Sequence, residues 1–363
     1  MKFKNNRIFP FNVKPISVRL GWMHKRLHDG MNYRLRTFAG GRWASYCRPT
    51  WISFLLTERC NARCIHCNIW QNRGKEDSPT PEQWKAALSD LRNWLGPAHV
   101  CLTGGEALLK PYTVDLVAHG SAIGLFIEVL SHGYWQDQGR IERLALANPS
   151  RITLSLDGIG ETHDKIRGRE GFFQETTKTL ETLKRLRKEK GADLTIRLKT
   201  VVMSHNLDDV CELARYATQD GIDILYQPIV QNYGALEDAA WFAHSDNWPK
   251  DGEKAAAVVR RLMRMKRQGF SIANTDAELE VMISYFRNPD AWRVSTQGHT
   301  AHERKTTCAA LGLFEVQANG DVKVCSGSEP VGNIKCKRPR EIWRKRPHWW
   351  EFGCCLERRV SAA

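Results

Sequence analysis

The sequence predicts an α/β fold built on a parallel sheet. Two observations predict it: six candidate strands alternate with five candidate helices between residues 51 and 229, and helix start and stop signals fall between the strands. Such alternation is the mark of parallel strands joined by crossover helices. The strands are read at 51–57, 98–103, 125–131, 151–157, 194–203 and 222–229, and the helices at 80–95, 111–122, 136–147, 173–190 and 207–219. Pro81 stands just inside the first helix after Thr80, where its missing N–H costs no helical bond. Asn206 or Leu207 opens the fifth helix, with Asp208 and Asp209 at the positive end of its dipole. The helix 173–190 closes on KRLRKEKG, with basic last turns and Gly191 as a cap. After residue 230 the alternation fades. Residues 231–300 read as helical, most clearly AAAVVRRLMRMKRQG (Ala255 to Gly269) and DAELEVMISYFRNP (Asp276 to Pro289). Further on, LFEVQANGDVKVC reads as two short strands around an Asn-Gly-Asp turn, a strong hairpin signal.

The chemistry is concentrated in CNARCIHC, which places Cys60, Cys64 and Cys67 at C-x3-C-x2-C spacing. A closed zinc site wants four ligands and a redox pair wants two. Three thiolates on a four-iron cluster leave one iron open to another ligand. Zinc would need a fourth ligand here, and His66 is poorly placed because adjacent residues rarely reach one metal. A disulfide framework fits poorly as well. Eleven cysteines in a long, tryptophan-rich chain do not look like a small stapled domain. The start, MKFKNNRIFP, has no apolar run of signal-peptide length. A reducing, cytoplasmic setting is expected. The run WISFLLT (Trp51 to Thr57) precedes the motif, so the cysteines fall on the loop after the first strand, a common place for active-site groups.

These residues resemble the cluster-binding loop of the radical S-adenosylmethionine (SAM) enzymes, and three further motifs follow in that superfamily's order. TGGEALL (Thr103 to Leu109) is similar to the glycine-rich motif that binds the amino group of the methionine moiety. SLDG (Ser155 to Gly158) is similar to the ribose-binding motif, and ETHDKIRGREGFF to the loop and helix that follow it. The resemblance covers residues 50–230. It implies an incomplete (β/α)6 TIM-like barrel, open on one side for a large substrate. It also implies a 4Fe–4S cluster on Cys60, Cys64 and Cys67, with SAM chelating the open iron. Cofactor contacts are implied for His66, Gly104, Gly105, Glu106, Ser155 and Asp157. Gly104 and Gly105 are expected to let the backbone approach the ligand where a Cβ would clash. Two departures are visible: Ala107 stands where proline is common, and His66 where an aromatic usually precedes the last cysteine. Taken alone, GGE also reads as a strand-to-helix turn, and Asp157 as a solvated turn residue. The implied chemistry is one-electron reductive cleavage of SAM to a 5′-deoxyadenosyl radical, which abstracts hydrogen from a substrate carbon. The cofactor supplies that chemistry, and the protein supplies geometry and exclusion of water.

Cysteine returns near the end of the chain. Cys308 is followed by eleven residues, Gly320, four residues and Cys325. This pattern resembles the start of the SPASM or twitch extension, which binds auxiliary iron–sulfur clusters, and the predicted hairpin would bring the two cysteines together. VGNIKCKRPREIWRKR (Val331 to Arg346) is similar to the strand and helix that follow there. The dense cysteine run of a full SPASM domain is missing; only Cys336, Cys354 and Cys355 remain. One auxiliary cluster, the twitch arrangement, is the economical reading, with Cys308, Cys325 and either Cys354 or Cys355 as ligands. Cys336 is a fourth ligand or incidental. A cysteine-bearing zinc or structural subdomain is the alternative. The expected division is a basic extension at 1–49, a radical SAM core at 50–230, a helical linker at 231–300 and a cluster domain at 301–363.

The chain carries 54 Lys and Arg against 40 Asp and Glu, a net charge of +14. Residues 1–50 hold eleven of the basic residues and one acid, Asp29. Such a start suits an anionic partner or a membrane surface. ISVRLGWMHKRLHDG (Ile16 to Gly30) reads either as an interfacial helix or as a helix packed on the barrel. No transmembrane run is present. An external reductant such as a flavodoxin or ferredoxin is implied. Cys101, His132, Tyr226 and Gln227 fall near predicted strand ends, where a barrel presents its site, or are core residues. Trp349 and Trp350 shield a cluster or pack the small domain. Three readings stay open: a maturase of ribosomally made peptides, an oxidoreductase acting on a small molecule, sugar or lipid, and a non-enzymatic electron carrier. The absence of a recognisable peptide-binding domain and the basic start favour the second over the first. Intact GGE and SLDG motifs speak against the third.

Overall fold

The computed structural model describes residues 27, 30–32, 34–35, 46–72, 74, 76–189, 194–233, 235–236, 238, 240–289, 312–325 and 329–346. Nearly all of Ile16–Gly30 lies outside the described residues, as do Cys308, Trp349, Trp350, Cys354 and Cys355. In chain order the elements are β1 (Trp51–Leu55), α1 (Pro81–Leu95), β2 (His99–Thr103), α2 (Thr113–Ala122), β3 (Phe126–Ser131), α3 (Gln138–Leu146), β4 (Arg151–Ser155), α4 (Glu161–Arg167), α5 (Phe172–Glu189), β5 (Thr195–Val202), α6 (Val210–Gln219) and β6 (Asp223–Pro228). Then follow α7 (Trp241–His244), α8 (Gly252–Arg267), α9 (Asp276–Arg287), β7 (Leu313–Val316), β8 (Asp321–Lys323), β9 (Gly332–Asn333) and α10 (Pro339–Arg344). Each of the six predicted strands and five predicted helices of the core has its counterpart. The added element is α4, a short helix inside the run after β4.

The strands form one sheet in the order β6-β5-β4-β3-β2-β1-β7-β8-β9. The first six are parallel neighbours, as the implied incomplete barrel requires. The predicted hairpin is also present: β7 and β8 are antiparallel, with Gly320 at positive φ in the turn. Its place was not foreseen. β7 pairs in parallel with β1, Trp51 opposite Leu313 and Phe54 opposite Val316, so the C-terminal strands continue the barrel sheet. The far edge is covered too. Ile224 exchanges backbone bonds with Ser271 and Ala273, and the Asn274 amide donates to Tyr226 O and accepts from Tyr226 N at 2.9 and 2.8 Å. These bonds occupy backbone groups of the β6 edge that would otherwise be open to another strand.

Side-chain alternation separates the two faces of the sheet. Ile52, Phe54, Val100, Leu102, Ile127, Val129, Ile152, Leu154, Ile196, Leu198, Ile224 and Tyr226 point to the helices and are buried. Tyr226 belongs to this core, its hydroxyl donating to Val210 O at 2.8 Å. The intervening positions include Ser53, Cys101, Thr103, Glu128, Arg151, Thr153, Ser155, Arg197 and Lys199. Parallel strands are usually apolar on both faces. A polar inner face therefore marks a concave interior built to meet water or a ligand. Helix ends follow local chemistry. Thr80 and Gln83 form a reciprocal capping box ahead of α1, as Thr275 and Glu278 do ahead of α9.

Candidate active site

The loop after β1 is held from three sides. Arg63 N donates to Arg167 O and Ile65 N to Ile166 O, both at 3.0 Å, which ties the loop to the end of α4. The Asn232 and Asn247 amides both donate to Ile65 O at 3.0 Å. The Trp70 indole donates to Cys64 O at 3.3 Å. Gly168, in the left-handed region at φ 68°, closes α4; a Cβ there would meet Arg63 O at 2.3 Å. Cys64 is buried, with Cys60 and Cys67 half-buried beside it, against Ala62, Phe172 and Tyr134. Burial pushes the Cys60 thiol up to about 12 and raises that of Cys67. Thiols in such a place ionise only against a strong positive charge, as a metal supplies.

This donor set suits an iron–sulfur cluster better than a single ion. Among the described residues, no three His, Cys, Asp or Glu side chains converge on one metal-sized point. In a four-iron cluster each thiolate takes a different iron, so its ligands stand apart. Arg167 Nη1 lies 3.5 Å from Cys64 Sγ, a charged donor aimed at the buried sulfur. His66 is half-buried, and burial lowers its imidazole to about 4, so it is neutral near pH 7.

Gly104 and Gly105 are explained by protein backbone, not only by a ligand. At Gly104, φ 129°, a Cβ would lie 2.3 Å from Thr57 O, and at Gly105 it would lie 2.3 Å from Arg59 O. Gly105 N donates to Thr57 O and Glu106 N to Arg59 O at 2.7 and 2.9 Å. The glycines therefore let the second motif dock on the chain entering the cysteine loop. Glu106 turns inward and is 1% exposed. Its carboxylate accepts from Leu108 N, Ser131 Oγ and His132 N at 3.1, 3.0 and 2.9 Å. Burial raises it to about 7 against the pull of those donors. These contacts tie the carboxylate to the end of β3 and to the turn after the glycine motif.

His132, read from the sequence only as a strand-end residue, joins the two motifs. Tyr134 N donates to its Nδ1 at 2.9 Å, so the ring proton sits on Nε2. From there it donates to Asn61 Oδ1 at 2.7 Å, with Glu106 Oε2 3.2 Å away. Asn61 lies inside the cysteine loop.

Asp157, expected at a ribose, turns into the protein. It is 0% exposed, 2.5 Å from Arg167 Nη2, and accepts Val201 N at 2.8 Å. Burial alone would raise its pKa, but Arg167, with His66, His163 and that backbone bond, holds it below the usual carboxylate range. The pair fixes α4 against β4 and β5, and so places Arg167 at Cys64. Ser155, half-buried at the end of β4, is the member of this motif left facing the inner side.

Asp157 N donates to His163 Nδ1 at 3.0 Å, so His163 is also neutral, and burial lowers it to about 3. Burial lowers His132 as well. An unfolded histidine ionises near pH 6.5, so the unfolded chain binds more protons below that pH. The stabilisation from a neutral His163 is fully present above about 6.5 and is lost as pH falls toward about 3. Glu106 has the opposite sign between its ordinary value and about 7. Several histidines outweigh one carboxyl. We expect denaturant unfolding to show lower stability at pH 5 than at pH 7.5, with His163→Gln removing about 2 kcal/mol of that difference. An unchanged pH profile in His163→Gln would rule out this titration.

Of the remaining sequence candidates, Cys101 faces the barrel interior and Gln227 is half-buried at the end of β6. Cys325 is half-buried at the end of the hairpin and Cys336 is exposed. The residues that sequence reading passed over are Asn61, Arg167, His163, Arg197 and Lys199. The signal for the last two lay in polar residues at alternate positions of a parallel strand.

Three thiols on the first barrel loop, with glycine-rich and β4 motifs packed around them, define a SAM-using iron–sulfur enzyme. Residues 54–225 match the radical SAM superfamily and form a domain of that kind. The chain is 26% identical over 310 residues to an AdoMet-dependent heme synthase of Methanosarcina barkeri, covering 81% of this chain and 82% of that protein. It is 28% identical to the sporulation killing factor maturation protein SkfB of Bacillus subtilis, over 48% of this chain and 40% of that one. In fold it is similar to SuiB of Streptococcus suis bound to S-adenosylmethionine, with a TM-score of 0.62 at 14% identity over 84% of this chain and 67% of that chain. Enzymes of this superfamily use a 4Fe–4S cluster to cleave SAM reductively to a 5′-deoxyadenosyl radical that takes hydrogen from a substrate carbon. Among the described residues no helix is long and apolar enough to cross a membrane.

Proposed function

We propose that this enzyme is an oxidoreductase acting on a small, carboxylate-bearing molecule of the tetrapyrrole class. The observation that carries this reading is the extent of similarity. The heme synthase matches along about four-fifths of both chains, whereas the SkfB match covers under half of either. The polar inner face of the barrel supports it. In this reading Cys60, Cys64 and Cys67 hold the cluster, while His66, Gly104, Gly105 and Ser155 border SAM. Glu106, Asp157, Arg167 and His132 position that shell. The chain divides into a basic extension (1–49), the core (50–230), a helical linker (231–300) and a cluster domain (301–363). Net oxidation needs an acceptor for a second electron. An auxiliary cluster on Cys308, Cys325 and either Cys354 or Cys355 fills that role, and a flavodoxin or ferredoxin supplies the first electron. The reducing cytoplasm suits such thiols.

The test is anaerobic reconstitution followed by SAM, dithionite and a porphyrin with free carboxylates. We expect 5′-deoxyadenosine together with a mass change in the porphyrin. An intact cluster without 5′-deoxyadenosine contradicts the radical mechanism. An unaltered porphyrin, with modification of a short precursor peptide encoded beside this gene, replaces the proposal with the peptide reading.

A further inference from the structure

Among the described residues, only Arg167 brings a charged donor to a sulfur of the cysteine loop. It closes α4 and is buried, with Nη1 3.5 Å from Cys64 Sγ and Nη2 2.5 Å from Asp157 Oδ2. The other two thiols lack such a donor. Burial raises both, and the contact that offsets it most is a backbone N–H in each case, from Ala62 for Cys60 and from Ile69 for Cys67. The arginines of the loop itself turn to carbonyls. Arg63 Nη1 donates to Cys60 O and Ala62 O at 3.0 and 2.8 Å, with its guanidinium over the Trp70 ring, and Arg59 reaches Gly74 O at 3.5 Å.

The charges at this point are fixed. A guanidinium stays protonated at any working pH. Asp157 is its counter-ion and is held in turn by Val201 N at 2.8 Å. His66 and His163 feel the same guanidinium; burial lowers both, Arg167 lowers them further, and they are neutral near pH 7. The pair therefore presents its positive member to the sulfur through one nitrogen of the fork, and its negative member sits on the other. Both members are out of water, where a charge is weakly screened and acts strongly on its neighbours. Net charge and hydrogen bonds to the sulfurs are among the quantities that set the reduction potential of an iron–sulfur cluster.

We propose that Arg167 tunes the reduction potential of the first cluster, raising it through Cys64, and that Asp157 limits the rise. This rests on the reading of Cys60, Cys64 and Cys67 as the ligands of that cluster. One electron leaves the external reductant and enters the cluster, so one negative charge is added beside the guanidinium. A charge-assisted donor on a ligand sulfur favours the reduced form, and a buried carboxylate next to that donor disfavours it. Arg167 acts through Cys64 and is a positioning residue, not a catalytic one.

The experiment is a redox titration of the reconstituted holoenzyme without SAM, followed by electron paramagnetic resonance. Asp157→Asn removes the negative charge and keeps the guanidinium, so it should raise the midpoint potential. Asp157→Ala with Arg167→Met removes both charges together with the donor. It should make reduction about tenfold less favourable, the loss expected for one charged hydrogen bond, which is a fall of about 59 mV for one electron. Arg167→Lys keeps the charge with a shorter reach and should fall between wild type and the double variant. Shifts of the same sign in Asp157→Asn and the double variant, or no shift in either, refute the tuning, because a merely structural pair gives no such opposition. Loss of SAM affinity at an unchanged SAM-free potential also refutes it, by assigning the cation to the carboxylate of SAM. Variants that fold but hold no iron refute it too, by making the arginine a support of the loop alone. A folded wild type that assembles no four-iron cluster overturns the ligand reading and this inference with it.

Discussion

Replacing Cys64 with alanine is expected to abolish 5′-deoxyadenosine formation and to remove the iron held at the first cluster. Cys64 is the most enclosed of the three thiols, 8% exposed, and it faces the Arg167 guanidinium. A cluster missing this ligand has only two thiolates left, Cys60 and Cys67. The change removes one sulfur from a small apolar cluster of Ala62 and Phe172, so the fold should survive. Iron content, the cluster's absorbance and electron paramagnetic resonance are the measurements. Cys211→Ala is the control, since Cys211 is buried on α6 away from the loop. Wild-type iron and wild-type product in Cys64→Ala would refute the assignment of this loop.

Asp157→Ala should cost about 3–5 kcal/mol of folding stability, because it leaves a buried guanidinium without its partner. Arg167 is 6% exposed and cannot reach water without moving α4. Val201 N also loses its acceptor. Asp157→Asn keeps an oxygen for Val201 but no charge, so it should fall between the two. Removing both charges in Asp157→Ala with Arg167→Met should recover much of the loss, since replacing a buried pair with apolar groups is often nearly neutral. Urea denaturation of the metal-free protein reads all of these. A single variant within about 1 kcal/mol of wild type would show that the pair is not structurally demanding.

The cysteine motif and the strand–helix alternation were legible because both are local. Spacing along a loop is a property of consecutive residues, and a helix cap such as Thr80 with Gln83 acts across one turn. The orientation of motif side chains was not legible. GGE and SLDG read as ligand-facing motifs, yet Glu106 and Asp157 turn inward because Ser131, His132, Arg167 and Val201 offer them partners from other elements. Those partners are 25 or more residues away for Glu106 and 44 for the Val201 bond to Asp157. No short window contains both halves of such a contact. Arg167 went unnoticed for the same reason: it reaches Cys64 across 103 residues.

The sequence by itself determined the three-thiol loop and the order of strands and helices, since each rests on spacing or periodicity within one segment; the reaction class came from the resemblance of its motifs to those of the radical SAM enzymes. Only the tertiary structure decided which carboxylates support the site and that β7 extends the barrel sheet at β1. Each of these depends on burial and on pairing between distant strands, where the environment of a charge is set by what folds against it.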